Sequence, residues 1–161
     1  MNDSFQSRLR SARAPLLIGA IFILGLIAFQ EIRSGIAPHD LVAWQTSISQ
    51  AAPAAARENR PILIDFGASW CPACQWMEAN VWSDPTIAQE IAQNYVPLNA
   101  DVDKPDGGKL SRQYKIEYLP TILLVSPEGS VLRGGSTMDK IQMLQFLREG
   151  VWTFTHEPAT Q

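Results

Sequence analysis

The two cysteines of the chain, Cys71 and Cys74, stand three positions apart in "GASWCPACQW", directly after Trp70. Thiols at that spacing could be a redox couple, half of a metal site or a structural disulfide. A thiol attacks only as thiolate, and at its ordinary pKa of about 8.5 it is mostly protonated at neutral pH. Position on a helix changes that balance. Pro72 is a favoured first helical residue, so the spacing predicts a helix that opens at the first cysteine. There Cys71 faces unpaired backbone N–H groups and the positive end of the helix dipole, which stabilise the thiolate. Cys74, one turn further in, is expected within bridging distance and more buried. Such a pair can cycle: Cys71 attacks a substrate disulfide, and Cys74 resolves the mixed disulfide by attacking Cys71.

The other chemistries fit less well. Structural zinc needs four ligands, and His39 and His156 lie at opposite ends of the domain with no finger-like spacing. Covalent haem needs a histidine after the second cysteine, where Gln75 stands. A purely structural bridge would close too short a loop to stabilise much, and its place at a helix start would be unexplained. No cofactor and no metal are expected. The formal net charge of -3 supplies no basic field for a phosphate backbone, which argues against nucleic acid as a partner. "DVDKPDG" misses the spacing of a calcium loop and reads as a solvated turn.

The elements that position the thiols follow from the hydrophobic pattern. "ILIDF" (62–66) is a continuous apolar run broken by one acid, the mark of a strand buried on both faces, which places Asp65 inside. "YVPLNADVD" and "TILLVS" read as further strands, and "PEGSVLRGG" as a hairpin turn at 127–129 with an edge strand. "LVAWQTS" reads as a short first strand. Helices are expected at 49–59, with Pro53 in the first turn, from Pro72, from Pro85 behind a Ser83 or Asp84 cap, and across "GGKLSRQYKI". A final amphipathic helix is expected to end at Gly150. Trp76 and Trp82 are expected in the core. This order gives a mixed sheet with helices on both faces, parallel through the crossovers and antiparallel at the closing hairpin.

Ahead of this domain, Arg8, Arg10 and Arg13 precede an uncharged stretch from Ala14 to Gln30. Read as a helix with Arg13 and Arg33 snorkelling to the interfaces, it spans a hydrocarbon core of roughly 30 Å. The alternative is a cleavable signal, with Gly35 and Ala37 as the small residues of a cleavage site. Arginines before the segment leave the N-terminus in the cytoplasm, and both readings export the domain on its C-terminal side. The expected organisation is a leader at 1–13, an anchor or uncleaved signal at 14–33, a tether at 34–40, a domain at 41–150 and a tail at 151–161. In an exported chain disulfides form and persist, so redox chemistry is open to the cysteines.

Three features converge on one family: an acid in "IDF" six residues before Cys71, a tryptophan directly before "CPAC", and "YLPT" before a strand. Together they resemble the thioredoxin superfamily over roughly Leu41 to Gly150. The resemblance implies an α/β thioredoxin fold, a central mixed sheet flanked by helices, preceded here by one N-terminal transmembrane helix. It implies that Pro120 is a cis-proline facing the cysteines, with Leu119 offering backbone to an extended substrate, in keeping with the near-confinement of cis bonds to X-Pro. Trp70 and Pro72 are then expected to touch the substrate. Asp65 becomes the buried acid that relays a proton to or from Cys74, its pKa raised by desolvation. The lysine that often pairs with that acid is missing, since Pro97 stands before "LNAD".

The longer stretch from "DFGASWCPAC" to "VPLNADV" resembles the exported domain of membrane electron carriers of this superfamily. That likeness implies a thiol-disulfide oxidoreductase that reduces protein disulfides and draws electrons from a membrane or periplasmic donor. Membrane lipid, through the N-terminal helix, is the other expected partner, and the inner membrane with the domain in the periplasm the expected location. A disulfide oxidase or isomerase, and a client-binding chaperone or assembly factor of the same fold, are the alternatives.

Overall fold

Two apolar runs form the middle of a four-stranded sheet. β1 (Ile62–Gly67) is buried until its last residue and β3 (Thr121–Val125) is buried throughout. The structure, a computed structural model, describes residues 41–156. The leader, anchor and tether therefore lie outside the described residues, as does the tail beyond His156. Among the described residues no helix is long and apolar enough to cross a membrane.

The flanking strands are β2 (Val96–Asp101), parallel to β1, and β4 (Val131–Gly135), antiparallel to β3, in the order β2-β1-β3-β4. Side chains alternate between two cores. Leu63 of β1 joins Ile122 and Leu124 of β3 on one face, beneath Met77, Trp82, Ile91 and Met143. Ile62, Ile64 and Phe66 join Leu123 and Val125 on the other, against Ala51, Ala55 and Leu110. Asp65 shares the face of Leu63, so the acid lies under the helix that carries the cysteines.

Among the described residues five helices flank the sheet: α1 (Ile48–Glu58), α2 (Pro72–Met77), α3 (Pro85–Asn94), α4 (Pro105–Gln113) and α5 (Lys140–His156). Between α2 and α3 the chain widens into a π-turn, Glu78–Trp82. It restarts where Asp84 Oδ1 accepts from Thr86 N at 2.9 Å and from Ile87 N at 3.3 Å, while Lys140 holds the other carboxylate oxygen at 2.9 Å. That side chain supplies the cap the new helix needs.

Four expectations are corrected. "LVAWQTS" forms a single parallel bridge, Gln45 to Leu98, instead of a strand. Gln45 N donates to Pro97 O and Asn99 N to Gln45 O, both at 2.9 Å. Pro97 has no N–H to continue the ladder towards residue 43, and beyond Gln45 the chain turns at Ser47 to cap α1. Pro53 lies inside α1, past the first turn, in an alanine-rich stretch whose two buried residues are Ala51 and Ala55. Trp76 is 44% exposed, because the inner side of its helix is occupied by Met77 and Val81; Trp82 is buried, edge-on to Trp44 at 5.3 Å.

The last correction concerns Gly150, which does not end the final helix. It is buried within α5, where a Cβ would fall 2.0 Å from Leu124 Cδ1 and 2.7 Å from the Tyr95 hydroxyl oxygen. The hydroxyl of Tyr95 donates to the carbonyl of Leu147 on the same helix. Glycine there is a contact residue that lets α5 lie against β3, and helical propensity comes second. Gly150→Ala is therefore expected to destabilise the protein by about 1–3 kcal/mol through overpacking, outweighing the ~1 kcal/mol that alanine gains in a helix. Urea unfolding monitored by circular dichroism reads the sign, and a more stable variant would show that propensity, not contact, governs the site.

Candidate functional site

Cys71 caps the N-terminus of α2 with extended backbone, and its Sγ accepts a hydrogen bond from Cys74 N at 3.2 Å. Pro72 follows as the first helical residue, needing no acceptor for an N–H it lacks. Cys71 and Cys74 are joined in a disulfide, with Cα atoms 5.3 Å apart. One expectation is reversed here: Cys71 is buried at 4% exposure, and Cys74 is the half-buried member. The reason is that each sulfur-bearing residue lines a different cavity.

Cys71 faces a groove of about 480 Å³ bordered by Trp70, Pro72, Val102, Ile116, Tyr118 and Leu119. Trp70 is 64% exposed yet held in place, its indole N–H donating to Asp103 Oδ2 at 2.7 Å. Behind it the Gln75 amide donates to Ser69 O at 2.6 Å, tying the turn before the cysteine to α2. The far wall is the segment that enters β3. Its Leu119–Pro120 peptide is cis, Thr121 Oγ1 donates to Tyr118 O at 2.7 Å, and Ser136 Oγ donates to Pro120 O at 2.8 Å. Of the candidate contact residues, Trp70, Pro72 and Leu119 line the groove with Cys71, while Pro120 is buried behind its wall.

Cys74 faces a second cavity of about 480 Å³, shared with Trp44, Asp65, Glu78, Trp82, Asn99 and Asp101. Burial pushes the Asp65 carboxyl up to about 7; the negative charge of Glu78 adds to the rise, and a hydrogen bond with the Trp82 side chain opposes it. Among the described residues no lysine or arginine lines this cavity. Asn99 is the β2 partner of Asp65 in register, a neutral amide facing the acid.

Four acids at the site lie outside the residues singled out from the sequence: Asp101, which lines the Cys74 cavity, and Asp103, which accepts from Trp70, come from the stretch read as a solvated turn, and Glu78 and Glu117 join them. Glu78 lies one turn beyond Cys74, and that four-residue spacing in a helix opened by Cys71 was the available signal. Glu117, with Tyr118 beside it, lines the groove, and its position two residues before "LP" carried no periodic signal.

Comparison with known proteins agrees with this geometry. A model of the thioredoxin-like family matches residues 43–127. The thiol:disulfide interchange protein DsbD of Pseudomonas fluorescens is 26% identical over 130 residues, 78% of this chain and 22% of that protein. DsbD of Yersinia pestis is 30% identical over 96 residues, 56% of this chain and 16% of that protein. The chain thus spans about a fifth of the length of the curated relatives it matches. Among solved structures, a thioredoxin from Thermus thermophilus aligns at TM-score 0.63 and 22% identity, covering 74% of this chain and 98% of that one. The oxidised C-terminal domain of Neisseria meningitidis DsbD aligns at TM-score 0.56 and 17% identity, covering 67% and 99%. Those structures share the fold, and the family match takes in the strand that holds Asp65, both cysteines and the turn before β3: by that match, over more than half its length, the chain belongs to the thioredoxin-like family.

Proposed function

We propose that this chain is an exported thiol-disulfide oxidoreductase, held at the membrane by the segment at 14–33, that reduces protein disulfides through Cys71 and Cys74. The observation that carries the reading is the placement of a bonded CxxC pair between an apolar groove and an acid-lined cavity. The likeness to DsbD, named for thiol:disulfide interchange, supports dithiol-disulfide exchange; reduction is the direction proposed, with oxidation or isomerisation as the alternative.

In the reduced chain the Cys71 thiolate, stabilised by the Cys74 N–H and the helix start, attacks one sulfur of a client disulfide lying in the groove. A Cys71–client bond forms, and the other client sulfur leaves as thiolate. Cys74 then loses its proton and attacks Cys71, which restores the intramolecular disulfide and releases the second client thiolate. Two electrons pass from the cysteine pair to the client. Asp65, shifted into the neutral range beside Cys74, accepts the proton across the shared cavity. Trp70, Pro72 and Leu119 hold the extended client, with Pro120 supporting the wall they form. A dithiol donor outside the chain then reduces the pair again.

Trapping tests the sulfur roles. Cys74→Ser is expected to accumulate client mixed disulfides on Cys71, which Cys71→Ser abolishes, as read on non-reducing gels. If Cys71→Ser leaves client capture intact, the fold serves as a binding module and the catalytic reading fails. A redox titration against glutathione separates direction: a potential above about -150 mV would mark an oxidant, since strong oxidants of this fold lie near -120 mV and thioredoxin near -270 mV.

Asp65 gives a pH signature. Its folded pKa, about 7, exceeds the unfolded value of about 3.9, so its contribution to stability is fully present below the unfolded pKa and is lost as pH rises through the folded pKa. Asp65→Asn is expected to remove that slope and to stabilise the oxidised protein above neutrality by up to about 4 kcal/mol, less where the cavity admits water. The same variant should slow release of the trapped client by about a hundredfold, the lower range for lost general base catalysis. Urea unfolding from pH 4 to 9 and single-turnover kinetics measure the two effects. Unchanged pH dependence in both would remove Asp65 from the mechanism.

A further inference from the structure

The groove beside Cys71 has an electrical asymmetry that the reduction chemistry does not require. Among the described residues its lining is apolar or aromatic apart from Ser111, Cys71 and one carboxylate, that of Glu117, and includes no lysine or arginine. Glu117 is exposed, next to exposed Tyr118, which is followed by the Leu119–Pro120 turn. A second acid backs the opposite wall, where Asp103 accepts the indole N–H of Trp70. The cation nearest in sequence to that acid, Lys104, is engaged with Asp101 at 3.2 Å and so offsets a different carboxylate. Lys115 is exposed, at a left-handed backbone position, and is not among the residues lining the groove. A client segment seated against Trp70 and Tyr118 thus meets apolar walls with negative charge on both sides, and low-dielectric walls focus such a field.

We propose that Glu117 makes the groove select clients that carry lysine or arginine beside the reacting cysteine, with an apolar neighbour for the Trp70–Tyr118 walls. This rests on the reading of the groove as the client site. A cationic client gains attraction on approach and in the bound state, while an acidic one faces a carboxylate for which the described residues supply no ion pair. Discrimination comes from that repulsion as much as from the attraction. The selecting charge comes from the chain's own residue two positions before "LP".

The test uses the full chain in detergent and two short disulfide peptides that differ only in lysine or glutamate next to the cysteine. At low ionic strength the lysine peptide is expected to be reduced about three- to tenfold faster, with the ratio collapsing in high salt. Glu117→Gln should bring the ratio close to one and Glu117→Lys should invert it. Equal rates for the two peptides, or a ratio that survives Glu117→Gln, overturns the proposal while leaving the reductase reading in place. Binding of the same peptides with serine in place of cysteine, followed by quenching of tryptophan fluorescence, separates the two claims. A lysine preference in binding that Glu117→Gln abolishes, with neither disulfide peptide reduced, sustains the groove assignment and sinks the reductase reading.

Discussion

The structure depends on the double burial of β1. A strand covered on both faces must pair on both edges, and here one neighbour is parallel and the other antiparallel. The parallel partner β2 cannot be reached by a tight turn, so the chain must cross one face of the sheet, and α2, the π-turn and α3 are that crossover. Its first turn starts at the C-terminal end of β1, which is where Cys71 lies. The antiparallel partner β3 brings its beginning to the same end, with Thr121 opposite Phe66 in register. The turn at Leu119 and Pro120 therefore arrives beside the cysteine pair through strand pairing alone. Neither segment is near the other in the chain, and both are set by the strand between them.

With that arrangement the two sulfurs of the disulfide line different cavities. Cys71 opens to a groove suited to an extended, partly apolar peptide; Cys74 opens to a cavity containing Asp65 and Glu78. Thiol exchange needs a place for a large partner and a route for a small proton, and here the two sulfurs line separate cavities. Burial of Cys71 belongs to the same division. On the proposed mechanism a client reaches one sulfur at the floor of a groove, and a general opening to solvent would expose the thiolate to other oxidants as well.

Legibility in the sequence follows the range of the interaction involved. β1 and β3 were readable because continuous apolar runs have few other uses, and the starts of α2 and α3 because Pro72, Pro85 and Asp84 act on their own first turns. Asp65 was placed inside by its neighbours in the strand. The failures are contacts between distant segments. Gly150 reads as a helix stop until Leu124 and Tyr95 are seen to occupy the space of its side chain. Pro97 ends the pairing at Gln45 from another strand. Trp76 and Trp82 are equivalent as hydrophobic residues, and only the faces taken by Met77 and Val81 separate them. The relative burial of the cysteines was misjudged for the same reason, since depth along a helix says nothing about a cavity opening beside its second turn.

The acid beneath the disulfide shows how stability and chemistry are set against each other. Asp65 occupies a position in a central strand where an apolar residue would pack without an electrostatic cost, on the same face as Leu63, Ile122 and Leu124. Among the described residues no basic side chain lines its cavity, and its partner in register is the neutral Asn99. A lysine there would lower the carboxyl towards the ordinary range and recover stability at neutral pH. The group would then be ionised well below neutrality, too weak a base to exchange a proton readily with a thiol. Without the lysine, Asp65 remains near 7, between the two ordinary ranges, where either protonation state is accessible as a thiol beside it forms or breaks a bond. Glu78 pushes in the same direction from the cavity wall. The fold accepts a less stable core strand above neutrality, and on the proposed mechanism the gain falls on the one sulfur, that of Cys74, with no helix start to stabilise its thiolate.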